Sequence, residues 1–555
     1  MENTMDLHVC FGGIKRMLFV FGIFCCCALT AAETTVPSYY DEESGVWIGD
    51  VVALTNAIKN VAANGTVILE KGIYDVSFLV DAPMYGNPGK DYGAALLSSG
   101  GKKSVTIRGA TGNREDVVID GKGVFRVISL NGNSSKLRDL TIRNGRVDST
   151  VAPHNFRTGG GVLFANEGAS VSNCIISGCY ASRGGGGASG PYNAKRGTAY
   201  DCEFSGNSSG TSGGAIRCCT YVSGCTVVSN IANQGNDDFG GGGIANCTTV
   251  TNCIISYNYS AGAGGGLYNC AKVYDSTIEC NVADRTESNP QKNSGGAFGG
   301  SFYSCRFRDN CSASVILAAH MEDCTVEDGR VSCLTNINCV FRNLNNSNTR
   351  IWAKGNVKYP EGKTATSESA FYGVNVMRGC VISNCVWYYN AGIVNSALFK
   401  ELAGDLENCT IIGNAYHYFG KNFGASRIVN CAIVGNAETE GTGAMDLRMF
   451  DSSKFCFSNC VWNVRKSDVL VSREAPYVDG GCIALGEGVS ARFTAEGEYP
   501  LTPKLSSPLV GAGLVEDWMG SAVDMAGNPR LRVGKVDIGA FQCWLDPVGF
   551  FLKVQ

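Results

Sequence analysis

One nine-residue phrase recurs along most of this 555-residue chain and limits what it can fold into. It reads VSNCIISGC from Val171, AYDCEFSGN from Ala199, VSGCTVVSN from Val222 and VTNCIISYN from Val250. It returns from Val273 (with Ser276 in the cysteine slot), Phe302, Met321, Met377, Leu406 and Ile428, with shorter echoes around Cys339 and Cys460. Asn, Asp, Gly or Ser stands directly before the fourth slot, so the cysteine follows a turn. Two residues beyond it comes an apolar side chain such as Ile176, Phe204, Val227 or Ile255, and the residue between varies. An apolar residue at every second position is the pattern of a strand with one buried face. Five residues after the cysteine comes Asn207, Asn230, Asn258, Asn310, Asn414 or Asn436, a residue type that accepts left-handed turns. Each phrase therefore reads as turn, short strand, turn.

The cysteine-to-cysteine spacings are 28, 23 and 28 residues from Cys174 to Cys253, and 29, 22 and 29 from Cys380 to Cys460. A βαβ unit needs roughly 30 residues or more, and the intervening stretches have no helical spacing. They are glycine runs that lead into another strand: Gly159-Gly160-Gly161-Val162, Gly213-Gly214-Ala215-Ile216, Gly241-Gly242-Gly243-Ile244, Gly264-Gly265-Gly266-Leu267 and Gly295-Gly296-Ala297-Phe298. A unit this small cannot bury its apolar face alone. Stacking neighbours about 4.8 Å apart pairs each strand with its equivalents above and below. The predicted fold is all-β: a right-handed parallel β-helix, roughly a dozen coils or more making a rod about 60 to 80 Å long. A propeller would need repeats of roughly 40 to 50 residues. A second register six positions before the cysteine (Gly168, Cys219, Cys247, Cys270, Gly299, Ala318, Cys333, Ala403, Ala425) is nearly all small and predicts a further interior ladder.

At the amino terminus Lys15 and Arg16 precede an apolar run from Met17 to Leu29 that ends in Thr30-Ala31-Ala32. This is the layout of a secretory signal over residues 1–32, and the run is short for a membrane span of about 20 residues. Cys25, Cys26 and Cys27 raise a lipid-anchored variant, although Phe24 is bulkier than such processing prefers. No other stretch looks membrane-spanning, so none is expected in the mature chain. The expected organisation is an N-terminal cap with first strands at 33–102, repeats at 103–465, a C-terminal end or cap segment at 466–545 and a tail at 546–555. Residues 49–63 predict a short capping helix with Val52, Leu54, Ala57, Ile58 and Val61 on one face, stopped by Asn64-Gly65. The next strands are Thr66–Leu69, Gly72–Asp75, Val105–Gly109 and Val117–Gly121.

In this opening the chain resembles the pectin-lyase-like β-helix superfamily, where a capping helix, a "gt-I-L-x-x-G-x-Y" phrase and an "I-x-G" phrase begin the solenoid. The Gly-Gly-Ala-Ile/Phe and Phe-x-x-Asn phrases (Gly213–Ile216 with Phe204 and Asn207; Gly295–Phe298 with Phe307 and Asn310) also resemble repeats of polymorphic outer-membrane autotransporter passengers. The tail from Ser507-Pro508-Leu509 through Gly527-Asn528-Pro529-Arg530 to Val536–Phe541 resembles the terminal segment of many bacterial surface β-helix proteins. The fourteen residues after Phe541 are too few for a membrane barrel of eight or more strands of about 10 residues, so a displayed passenger is expected to rely on other machinery.

Function is less determined. With 46 Lys+Arg against 50 Asp+Glu and no long basic run, nucleic acid is not an expected partner. The 23 cysteines beyond residue 32 fit mostly stacked free thiols in slots that want small side chains. Some inter-coil disulfides stay open, and no C-x2-C pair or histidine cluster suggests zinc. The resemblance to β-helix polysaccharide enzymes implies carboxylates with a basic residue, or clustered aspartates, on outward positions of adjacent coils. The best pair, Asp237-Asp238, lacks the Gly-His-Gly and Arg-x-Lys phrases of the galacturonases it is compared with and reads as a solvated loop. His154, His320 and His417 read as surface or turn residues, and Tyr388-Tyr389 and Tyr416-x-Tyr418 are candidates for sugar stacking. The sequence nominates no catalytic, cofactor-binding or metal-ligating residue and calls for no cofactor. The expected function is an exported, non-catalytic binding or adhesion scaffold on the cell surface or secreted, with polysaccharide or another surface protein as partner. The alternative is a polysaccharide lyase or glycoside hydrolase acting on acidic polysaccharide.

Overall fold

A computed structural model describes residues 32–543 apart from internal stretches, the longest being 82–93, 285–293, 359–368, 386–396, 437–448 and 464–476. Residues 1–31, His154, Asp237, Asp238, Tyr388, Tyr389, His417, Ala425 and the 546–555 tail lie outside the described residues.

Each phrase folds as two short strands hinged at a single left-handed residue. In the Cys225 coil, Tyr221–Ser223 and Thr226–Val228 flank Gly224 at φ +63. Asn173, Asp201, Asn252, Asp275, Asn408 and Asn430 occupy the same corner with φ between +46 and +55. Left-handed backbone costs most residues roughly 1–2 kcal/mol, and Asn, Asp and Gly pay least. That penalty explains the residue types written before each cysteine. Strands then stack in parallel and in register: Tyr221–Ser223 on Thr249–Thr251, and that on Lys272–Tyr274. The pairing continues as far as Ile483–Leu485 on Val461–Asn463. Among the described residues forty-five strands join one continuous ladder system and six more form a third face. The chain is a right-handed parallel β-helix.

The phrase cysteines form an interior column. Cys174 pairs with Leu140 of the preceding coil, and Cys174, Cys202, Cys225 and Cys253, then Cys305, Cys324, Cys339, Cys380, Cys409, Cys431 and Cys460, are all buried as free thiols. A sulfhydryl fits the narrow corner and finds a backbone acceptor, as in Cys202 Sγ to Tyr200 O at 3.1 Å. The second register holds for Cys219, Cys247 and Cys270, with the Cys219 amide donating to Cys247 Sγ at 3.4 Å. It fails at Gly168 and Ala403, which are exposed, and Gly299 is half-buried. Leu402 takes the buried place beside Ala403.

The asparagines five residues on play a different part from the one expected. The left-handed turn falls one residue earlier, at Gly206, Ser229, Tyr257, Cys280, Asp309 and Gly413. The asparagine itself is fully buried and points inward. Asn230 Oδ1 accepts from both the amide (2.9 Å) and Nδ2 (3.0 Å) of Asn207, and Asn230 Nδ2 in turn donates to Asn258 Oδ1 (3.0 Å) and Phe204 O (3.0 Å). The ladder runs Asn207, Asn230, Asn258, Asn281, Asn310, and a shorter one joins Asn414 to Asn436. A cysteine heads each: the amides of Cys179 and Cys385 donate to Asn207 and Asn414 Oδ1.

The capping helix is Val51–Asn60, with Asp50 as N-cap accepting the Ala53 amide at 2.8 Å. It buries Val51, Leu54, Ala57 and Ile58, while Val52 is 61% exposed. Spacing i, i+3, i+7 puts Val51, rather than Val52, on the face of Leu54 and Ile58. Ahead of it, Glu33–Val36 adds a parallel strand to Gly65–Leu69, and Ser38–Asp41 with Val46–Gly49 makes an antiparallel hairpin. After the last coil the chain lies against the outside of the C-terminal coils. Asn430 holds Leu514 by both its amide (2.6 Å) and carbonyl (2.7 Å), and Asn459 and Asn408 donate to the Ala512 and Asp537 carbonyls at 3.0 Å each.

Candidate functional site

Outward residues carry any function, because the interior is filled. Burial makes Cys179, Cys333 and Cys385 poor nucleophiles, pushing Cys179 and Cys385 up to about 12 and Cys333 further. Along the Cys174 to Cys253 coils the two outer strand faces are mostly short hydroxyls, such as Ser172, Ser177, Ser205, Ser223, Thr226 and Thr251. Over the next coils their character changes.

Before the corner, register stacks Lys272, Ser301 and His320 in one outward row and Tyr274, Tyr303 and Glu322 in the next. The Tyr274 and Tyr303 rings stack at 4.9 Å and 17°, and His320 lies 5.3 Å from Tyr303. Ring faces cover one another along the solenoid axis, so the strip offers ring edges and hydroxyls to solvent. His320 lies within strand Ser314–Glu322, three-quarters buried, with Nε2 3.4 Å from Glu322 Oε2. Tyr416, by contrast, is wholly buried and supplies no sugar platform.

After the corner, Glu279 accepts from Arg308 Nη2 at 2.6 Å. Glu327 lies between two arginines, 3.3 Å from Arg306 Nη2 and 2.6 Å from Arg342 Nε. The arginine side chains stay 41–47% exposed while the Glu327 side chain is 10% exposed. Burial alone pushes Glu327 up, but the hydrogen bonds from Arg342 and Arg306 outweigh it and hold the carboxyl below its usual range. The Glu279 hydrogen bond likewise raises Arg308. Each guanidinium has five N–H donors, more than its ion pair uses. Below the tyrosine strip, partial desolvation and the Glu322 charge push the corner carboxyl of Asp323 up.

Sequence reasoning named His320 here and missed the rest. A partial signal was present: within the phrases, Arg, Glu and Tyr become more frequent at outward positions from Lys272 to Arg342, although Tyr200, Glu203, Tyr221, Arg378 and Glu407 show that they are not confined there.

No family model matches the chain. No curated protein matches its sequence. Among solved structures it is similar to a mutant of AlyGC, an alginate lyase of polysaccharide lyase family 6, at 12% identity and TM-score 0.31, over 82% of this chain and 53% of that one. It thus spans about half the length of that enzyme. A mannuronic-acid-specific family 6 lyase from human gut microbiota shares 11% identity over 75% of this chain and 86% of that chain, with TM-score 0.30. The tailspike of E. coli bacteriophage HK620, solved as a mutant with a pentasaccharide, shares 12% over 81% and 72%, with TM-score 0.20. Among the described residues no helix is long and apolar enough to cross a membrane.

Proposed function

We propose that this chain is an exported protein that binds an acidic polysaccharide along the flank running from Lys272 to Arg342. The observation that carries the reading is the group of outward arginines Arg306, Arg308 and Arg342 on the strands that follow the tyrosine strip. Coils repeat at about 4.8 Å, close to the length of one sugar residue in an extended chain. In this register Arg308 and Arg342 alternate with Glu279 and Glu327, so a polymer laid along the axis meets a guanidinium at every second coil with Arg306 on the neighbouring row, and weak contacts sum. Guanidinium forks suit carboxylates. The secretory layout of residues 1–32 and the passenger-like phrases support display outside the cell.

The test is titration with oligouronates. Arg306→Ala, Arg308→Ala and Arg342→Ala together are expected to weaken binding at least about tenfold, at about 1.4 kcal/mol per tenfold, and to flatten its salt dependence. Unchanged affinity rejects the flank. A second reading, cleavage of such a polymer, is favoured by one observation: Asp323, its carboxyl pushed up, sits one residue from the Glu322–His320 pair. A carboxyl raised by burial beside a second carboxyl and an imidazole is a grouping that acid–base chemistry can use. New reducing ends or unsaturated products, lost in Asp323→Asn, establish that reading. Binding without products rejects it.

A further inference from the structure

The amino-terminal hairpin lies far along the chain from this flank, and its chemistry is opposite. Tyr40 and Trp47 are cross-strand partners with ring centroids 5.6 Å apart and planes 58° apart, a shallow open V. They are 51% and 43% exposed, with Ser38 and Gly49 as the next pair on that face and the buried Tyr74 ring packed over Gly49. Large exposed aromatics grouped together mark binding surfaces more often than isolated ones do. The charge around them has one sign. From Glu33 to Ile58 there is no Lys, Arg or His, while Asp41, Glu42 and Glu43 form the hairpin tip and Glu42 and Glu43 are exposed. Lys71, at the base, is paired with Asp116 at 3.5 Å.

We propose that the hairpin binds a cationic amino sugar polymer, with a pyranose ring against Tyr40 and Trp47 and its ammonium toward the Glu42–Glu43 tip. Aromatic rings attract ammonium groups through their negative faces, and carboxylates at the rim add to that attraction. The flat C–H face of a pyranose uses the ring area, which a lysine side chain does not need. An anionic polymer is repelled here, so this site is independent of the arginine flank.

The experiment titrates the full-length mature protein at slightly acidic pH with a glucosamine hexamer, its fully N-acetylated counterpart and hexalysine, reading tryptophan fluorescence and calorimetry. The glucosamine hexamer is expected to bind most tightly and to weaken about tenfold in Trp47→Ala and in Tyr40→Ala. Glu42→Gln with Glu43→Gln is expected to lower affinity and reduce its salt dependence. Both ring positions are exposed, so the melting curves are expected to match the parent, and oligouronate binding to stay unchanged. The proposal is overturned if the hexamer does not bind, if the acetylated form binds equally, if hexalysine binds more tightly, or if Trp47→Ala has no effect.

Discussion

The corner before the phrase cysteine has one backbone shape but two sets of side chains. In the first coils it is Asp139, Asn173, Asp201, Gly224, Asn252, Asp275, Ser304 and Asp323, and from Asp201 onward all but Gly224 face solvent. In the later coils it is Asn338, Gly379, Asn408, Asn430 and Asn459, and residues 512–537 lie over part of it. No aspartate occurs in the covered set. Both residue types tolerate the left-handed angle, so the turn does not separate them. The cover does. Asn offers a donor and an acceptor to a passing backbone, as Asn430 does with Leu514. Asp offers acceptors only, and its charge is costly under a lid. A solvated corner has no such restriction.

The largest expected contrast follows from that difference. Asn430→Asp should cost about 2–4 kcal/mol, because a buried charge replaces a satisfied amide. Asp201→Asn on the bare side should stay within about 0.5 kcal/mol of the parent. Denaturant unfolding compares them, and equal effects would remove the distinction. A step smaller, Asn258→Ala breaks the ladder in mid-run and leaves the Asn230 amide unmatched, for a loss of about 1–3 kcal/mol.

The two regions also differ in the sign of their pH response. Glu407, beneath the covered side, is raised by burial despite hydrogen bonding to Arg378. A raised carboxyl contributes stability that is full below its unfolded value and lost as pH rises through its folded one. Glu407→Gln should therefore gain on the parent as pH rises above about 4.5. Glu327, on the bare side, is held low, so its contribution is present above the unfolded value and lost as pH falls. Glu327→Gln should lose its disadvantage in acid. Stability curves of the same slope for both variants would contradict the assignment. The smallest effect is in thiol reactivity: half-buried Cys456, which stands outside the column, should react with an aromatic disulfide before the fully buried column cysteines, whose labelling should await unfolding.

Much of the fold was readable because the left-handed corner has a steep residue preference, and it recurs. The Asn-Cys and Asp-Cys pairs therefore mark coils, and period two marks the strands between them. What escaped lacked a repeating signal. The hairpin Ser38–Gly49 occurs once, and the segment over the later corners is irregular, so its backbone contacts leave no pattern in the chain. Asn230 and its equivalents were visible but ambiguous, since the same residue type suits a turn and a buried amide ladder. The candidate flank could be read only after the corners assigned inside and outside, because Arg306 and Arg308 flank a buried Phe307 in an otherwise unremarkable phrase.

Double electron–electron resonance between spin labels carried by non-canonical amino acids at the corners of the earlier coils tests the coil assignment most directly. With one coil per corner at about 4.8 Å, the Asp201 to Asp323 pair spans five coils and should read about 24 Å, and Asp139 to Asp323 spans seven and should read about 34 Å, each broadened by the label. Distances that fail to grow in proportion to the number of intervening coils would contradict the stacking on which both binding surfaces rest.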